Sequence, residues 1–142
     1  RPAFRRLGRG VRDRSRDGPP RPRVVIESEE AAAVVAPERL EHVLEHVVRN
    51  AQDATPEDGR VEIVVRGDQS HVSLEVRDTG AGMDPTFIRT RLFRPFDTTK
   101  GSKGMGIGAF QTREFARAAG GDVEVSSAPG RGTSFVIRLP PA

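Results

Sequence analysis

Glycine, aspartate and asparagine punctuate this chain in a fixed order, and that order limits what it can fold into. A helical stretch runs through His46-Val47-Val48-Arg49-Asn50-Ala51. Three glycine clusters follow: Asp78-Thr79-Gly80-Ala81-Gly82, Gly104-Met105-Gly106-Ile107-Gly108 and Gly130-Arg131-Gly132-Thr133. Between the first two lies Phe93-Arg94-Pro95-Phe96-Asp97-Thr98-Thr99-Lys100. Glycine permits positive φ and close backbone approach, so each cluster marks a turn that other residues cannot make as cheaply. Any one cluster is common in proteins. Their order, spacing and joint presence are not.

The intervening segments have readable periods. Arg23 to Glu27, with Val24-Val25-Ile26 inside it, reads as a strand, and Ala33 to Ala36 as a second, short one. Pro37 to Ala54 is the clearest helix. Pro37 suits the first turn, and Leu40, Val43, Leu44, Val47, Val48 and Ala51 fall on one face. Val61–Arg66 and Val72–Asp78 alternate around Gly67-Asp68-Gln69-Ser70 and predict a hairpin. Thr79 to Lys103 is rich in Gly, Pro and Thr, lacks regular periodicity and reads as a long loop, either functional or disordered. Ile107 to Ala119 predicts a helix closed by Gly120-Gly121. Asp122–Ser127 and Thr133–Leu139 predict a final pair of strands. Element order alone gives two layers of mixed α and β structure.

Composition removes several alternatives. With 142 residues the chain has the length of one domain. It has no Cys, hence no disulfide framework, thiolate metal site or cysteine nucleophile. No apolar run approaches the roughly 18 residues of a membrane span. The pI of 10.4 points towards nucleic acid, but the distribution of charge does not. Residues 1 to 23 hold nine Arg and two Asp, a net of +7 against +3 for the whole chain, so the remainder carries −4. The basic character belongs to a leader, residues 1–22, that ends in Asp17-Gly18-Pro19-Pro20-Arg21-Pro22. No interleaved aromatics support base stacking, and no nucleic acid partner is expected for the core. Without an initiating Met or a signal peptide, the chain is expected to be a piece of a longer protein.

Some of the chemistry follows from residue type. A glycine run that opens a helix, as at Gly104, Gly106, Ile107 and Gly108, exposes N–H groups and a helix dipole that favour phosphate. It has no Gly-Lys-Ser/Thr ending, so it is not a P-loop. The chain has only two lysines, Lys100 and Lys103, both in the long loop, where mobile point charges could meet phosphates. His46 and Asn50 are one helical turn apart on one face. Phe93 and Phe96 either anchor the loop to the core or face a partner domain.

Together the segments closely resemble the N, G1, F, G2 and G3 boxes of the ATP-binding domain of sensor histidine kinases. Those belong to the gyrase, Hsp90, histidine kinase and MutL ATPases. The resemblance covers roughly residues 24 to 139. It implies a Bergerat-type ATP-binding fold: an α/β (α+β) two-layer sandwich, a mixed sheet backed by helices. It places the ATP-binding catalytic domain at 23–140, with a lid at about 79–104. It implies that Asn50 ligates Mg²⁺ through its side-chain oxygen, and that His46 orients metal-bound water or touches phosphate. It implies that Asp78 accepts from the adenine amine and that Thr133 helps fix the base. Asp53, Gly80, Gly82 and Met83 join the nucleotide-binding set. His46, Asn50 and Lys100 are the catalytic candidates.

The segment Phe93–Lys100 looks most like the nitrogen-regulatory type of kinase. Gly104-Met105-Gly106-Ile107-Gly108-Ala109-Phe110-Gln111 looks similar to kinases of the exopolysaccharide and PEP-CTERM export systems. One family part has no counterpart. The phosphoacceptor sits in a motif like His-Glu-x-x-x-Pro, whereas His42, His46 and His71 are each followed by Val. The resemblance therefore implies ATP and Mg²⁺ as cofactors, a His-bearing dimerisation domain elsewhere in a homodimeric protein, and a downstream response regulator. It implies a cytoplasmic location and allows a membrane anchor in the full-length protein. An anti-sigma-factor-type serine kinase and a non-catalytic nucleotide-gated module share these boxes and remain the rival readings.

Overall fold

The apolar stripe of residues 37–54 becomes helix α1 (Pro37–Ala54), whose Leu40, Leu44, Val47, Val48 and Ala51 are buried. Spacings of three and four residues put these side chains on one face, and Glu38, Arg39, His42, Arg49 and Asp53 are left exposed. The computed structural model describes residues 22–26, 37–67, 70–94 and 105–141. The remaining elements are β1 (Pro22–Ile26), β2 (Val61–Gly67), β3 (Val72–Asp78), α2 (Pro85–Thr90), α3 (Met105–Ala118), β4 (Asp122–Ser127) and β5 (Thr133–Leu139).

The strands form one mixed sheet in the order β1-β2-β3-β5-β4. β1 runs parallel to β2, and every other pair is antiparallel. A parallel pair needs a crossover, and α1 lies within the connection from β1 to β2. Alternation assigns the two faces. Ile63, Leu74, Ile137 and Leu139 point to the helix side and are fully buried with Leu40 and Leu44. Each such side chain contributes roughly 1.5 to 3 kcal/mol by leaving water. Helix α3 adds Ala109, Thr112, Phe115 and Ala116 to the same layer. It ends as the glycine pair predicts, with Gly121 N–H donating to the Ala116 carbonyl at 2.8 Å and Gly120 N–H to the Arg117 carbonyl at 3.0 Å.

The expected strands at 23–27, 122–127 and 133–139, the hairpin and the two long helices are present. The segment from Thr79 onward differs, because it contains the short helix α2. Asp84 caps that helix by accepting from Thr86 N–H at 2.7 Å, and Pro85 occupies its first turn. The Asp-Pro pair is a helix start signal that the surrounding glycines obscured. The expected strand at Ala33–Ala36 and the basic leader up to Arg21 lie outside the described residues.

The opposite face of the sheet carries a charge network. Glu75 is buried there and accepts from Arg66 at 2.8 Å, from Arg77 Nε at 3.0 Å and from the Ser134 hydroxyl. Burial pushes its carboxyl up, but the hydrogen bonds from Arg77, Ser134 and Arg66 outweigh this and hold it at about 2, below the ordinary 4.5. The unfolded chain therefore takes up this proton before the folded one does. The stabilisation is complete above 4.5 and is lost as pH falls from there towards 2. Glu75→Gln is expected to lose up to roughly 3 kcal/mol at neutral pH. It should also flatten the loss of stability between pH 4.5 and 3. Urea unfolding followed by circular dichroism across that range tests this, and an unchanged slope in the variant would contradict it.

Candidate functional site

Two turns close over one end of the sheet and define the site. Residues 78–82 leave β3, and residues 128–132 join β4 to β5. Gly132 has φ +76°, and a Cβ there would stand 2.1 Å from the Asp78 carbonyl oxygen. Gly82 has φ +75°, and its Cβ would stand 2.0 Å from the Ala128 carbonyl oxygen. Only glycine allows both the backbone angle and the approach. The first turn also meets α1, where Ala81 N–H donates to the Ala54 carbonyl at 3.2 Å. Beneath these turns, between α1, α3 and the sheet, lies a cavity of about 520 Å³. That is the size and largely apolar character of a small-molecule site. A shallower depression of about 420 Å³ near the same strand ends is lined by Arg60, Arg77 and Arg131.

The cavity gathers many of the residues that the sequence singles out. Asn50 and Asp53 come from α1, Asp78 from β3, Gly82 and Met83 from the turn, and Thr133 from β5. Asp78 and Thr133 are direct partners across the β3–β5 ladder, so their side chains stand side by side. Asp78 is 9% exposed and accepts from Gly80 N–H at 2.9 Å, which gives Gly80 its place in the turn.

At the α1 end, Asn50 Oδ1 is buried without a hydrogen-bond partner among the described residues. A buried unpaired amide oxygen is uncommon and calls for an explanation. An oxygen of this kind suits Mg²⁺, which takes few protein ligands and completes its shell with water and phosphate. Gly108, in the first turn of α3, packs against this pair. A Cβ there would lie 3.6 Å from His46 Cβ and 3.8 Å from Asn50 Nδ2.

His46 Nε2 lies 3.3 Å from His42 Nε2, with the rings edge to face. Burial, then the charges of His42 and Arg49, lower the His46 pKa below 6.5. The neutral imidazole is therefore its form at neutral pH, and it can accept as well as donate.

Gly106 and Ile107 lie in the first turn of α3, while Lys100, Lys103, Gly104 and Phe96 fall outside the described residues. Phe93 resolves its alternatives towards the core. Its ring packs 6.4 Å from Phe135, a cavity-lining residue, and the Arg113 guanidinium lies 4.3 Å above it. Sequence reasoning missed Phe87 and Leu92, which line the cavity, and Ser127, which touches both turns. The Asp-Pro start of α2 was the available signal for Phe87. Ser127 carries no local signal.

A mixed five-stranded sheet backed by helices, with a cavity between the layers at the ends of β3 and β5, defines an ATP-binding sandwich domain. The chain belongs to the histidine kinase-, DNA gyrase B- and HSP90-like ATPases, whose family model matches residues 35–142. It is 34% identical over 102 residues to sporulation kinase A of Bacillus subtilis, covering 72% of this chain and 16% of that protein. It is 33% identical over 105 residues to the histidine protein kinase DivJ of Caulobacter vibrioides, covering 71% and 17%. The chain thus spans about a sixth of the length of these curated relatives.

Among solved structures, full-length ShkA in complex with AMPPNP matches with a TM-score of 0.80 at 26% identity, over 99% of this chain and 30% of that one. The nucleotide-free catalytic domain of histidine kinase ThkA has the same fold, with a TM-score of 0.80 at 22% identity over 97% and 94%. Among the described residues, no helix is long and apolar enough to cross a membrane.

Proposed function

We propose that this chain is the catalytic domain of a two-component sensor histidine kinase. It presents the γ-phosphoryl group of ATP to a His on a dimerisation domain elsewhere in the protein. The observation that carries this reading is the Asp78–Thr133 pair on one wall of the cavity. The histidine kinases among the relatives favour it over a serine kinase.

The residues divide the work. An ionised Asp78 offers acceptors only, which suits the adenine amine and rejects the guanine carbonyl. Val47, Ala51, Val76 and Phe135 exclude water around the base. Asn50 Oδ1 would hold Mg²⁺, with Asp53 lining the same end of the cavity and neutral His46 one helical turn away. When bound, Mg²⁺ neutralises charge on the phosphates and fixes their orientation. The run Gly104–Gly108 would offer N–H groups to phosphate, and Lys100 and Lys103 would supply positive charge to it.

The acceptor imidazole attacks the γ-phosphorus, the bond to the bridging oxygen breaks, and ADP leaves. By the family resemblance, His46 stands where the hydrolysing relatives carry the Glu that activates water, which argues against robust intrinsic hydrolysis. The segments Phe93–Lys100 and Gly104–Gln111 support a place near the nitrogen-regulatory and export-system kinases. On this reading the full protein is a homodimer, this domain is cytoplasmic, and a response regulator takes the phosphoryl group from the His.

The test is transfer in trans. Incubated with γ-³²P-ATP, the domain alone should stay unlabelled, because none of its three histidines has the acceptor motif. With a separately made dimerisation domain, label should appear on that domain's His. ATP binding without any transfer would leave a nucleotide-gated module in place of a kinase.

A further inference from the structure

Ser127, the last residue of β4, makes three hydrogen bonds that link the two turns. Met83 N–H donates to its Oγ at 2.8 Å. Its Oγ donates to the Gly132 carbonyl at 2.8 Å. Thr133 Oγ1 lies 2.8 Å away, with either atom able to donate. A serine hydroxyl carries one proton and two lone pairs. The Met83 N–H can only donate, so it takes one lone pair. The Gly132 carbonyl can only accept, so it takes the proton. One lone pair remains, and Thr133 must donate into it.

The proton of Thr133 is thereby spent on the side away from the ligand. We propose that Ser127 is a specificity-determining positioning residue that fixes Thr133 as a hydrogen-bond acceptor towards the cavity. This rests on the reading of the cavity as the ATP site.

The consequence concerns the base. Thr133 stands beside Asp78 across the ladder, and both line the cavity. With Ser127 in place, that wall presents acceptors from two strands. An exocyclic amine has two N–H donors and fits such a wall, directly or through one water. A base with a carbonyl at that position meets acceptor against acceptor. A free threonine hydroxyl would rotate to donate and tolerate the carbonyl. Ser127 removes that freedom without touching the base.

Inosine triphosphate is the probe, because it carries a carbonyl and a ring N–H where adenine has an amine and a bare ring nitrogen. The measurement is calorimetric affinity for ATP and for inosine triphosphate, on the parent, Ser127→Ala and Ser127→Thr. Ser127→Ala should narrow the preference for ATP about tenfold, the worth of one hydrogen bond reversed. Ser127→Thr, which keeps the hydroxyl, should restore it. Both affinities falling together with their ratio unchanged would overturn the proposal, because a merely loosened turn does that. A folded parent that fails to bind ATP would instead overturn the ATP reading itself. Thr133→Val leaves Ser127 intact and removes the acceptor directly. It should narrow the ratio to the same extent, and an unchanged ratio there overturns the proposal even if Ser127→Ala does not fold.

Discussion

Asp78→Asn is expected to abolish ATP binding and leave the domain folded. Asparagine is isosteric with aspartate and keeps an oxygen that can accept from Gly80 N–H, the 2.9 Å bond that shapes the turn. The turn should therefore survive. What changes is the second atom, because an NH₂ group now stands where an acceptor stood. The adenine amine loses a charge-assisted hydrogen bond worth about 1.5 to 3 kcal/mol. It also meets a donor against its own donor in a site that excludes water, which adds a desolvation cost. The expected loss is at least about 100-fold in affinity. Calorimetric titration with ATP and Mg²⁺ reads it, with thermal melting as the control for folding. Binding within threefold of the parent would place the base elsewhere in the cavity. Asp78→Ala is the weaker test, since it also removes the partner of Gly80.

The contrast between Asp78 and Ser127 shows how much of the site was legible in the sequence. Asp78 was singled out through the family resemblance, because Asp78-Thr79-Gly80-Ala81-Gly82 on its own is an ordinary strand-ending turn. Asn50, Gly82, Met83 and Thr133 entered through the same ordered set of segments, and the structure gathers them around one cavity. Ser127 had no such pattern. Serine is unremarkable at a strand end, and its role arises from the β4–β5 register and from the approach of Met83, 44 residues away. The stacking of Arg113 on Phe93 is likewise tertiary, joining α3 to the segment that follows α2.

The fold was legible where a period ran long enough, as in α1 and the β2–β3 hairpin. It was not legible where pairing is non-local. Nothing in Pro22–Ile26 states that it lies parallel to β2 at the sheet edge. Helix α2 failed for a different reason. Its six residues are too few to show a period, and only its Asp84-Pro85 cap betrays it.

Asn50→Ala separates stability from function more sharply than any other change in the cavity. The Oδ1 of Asn50 is buried, and none of the described residues satisfies it. An unpaired buried oxygen of this kind costs about 1 to 3 kcal/mol. Alanine removes that cost and is a better helix former than Asn by about half a kcal/mol. The domain without nucleotide should therefore hold or raise its melting temperature, although a side chain has been cut from a half-buried position. Function should move the other way. If Asn50 ligates Mg²⁺ as proposed, the change should abolish any strengthening of ATP binding by the metal and leave metal-free nucleotide binding within a few-fold. Phosphoryl transfer should fall about 100- to 1,000-fold, the range for loss of one preorganised group at a reacting centre. Melting curves, titrations with and without Mg²⁺ and the transfer assay together read all three effects. A variant that melts several degrees lower and keeps its metal dependence would show that Oδ1 supports the fold.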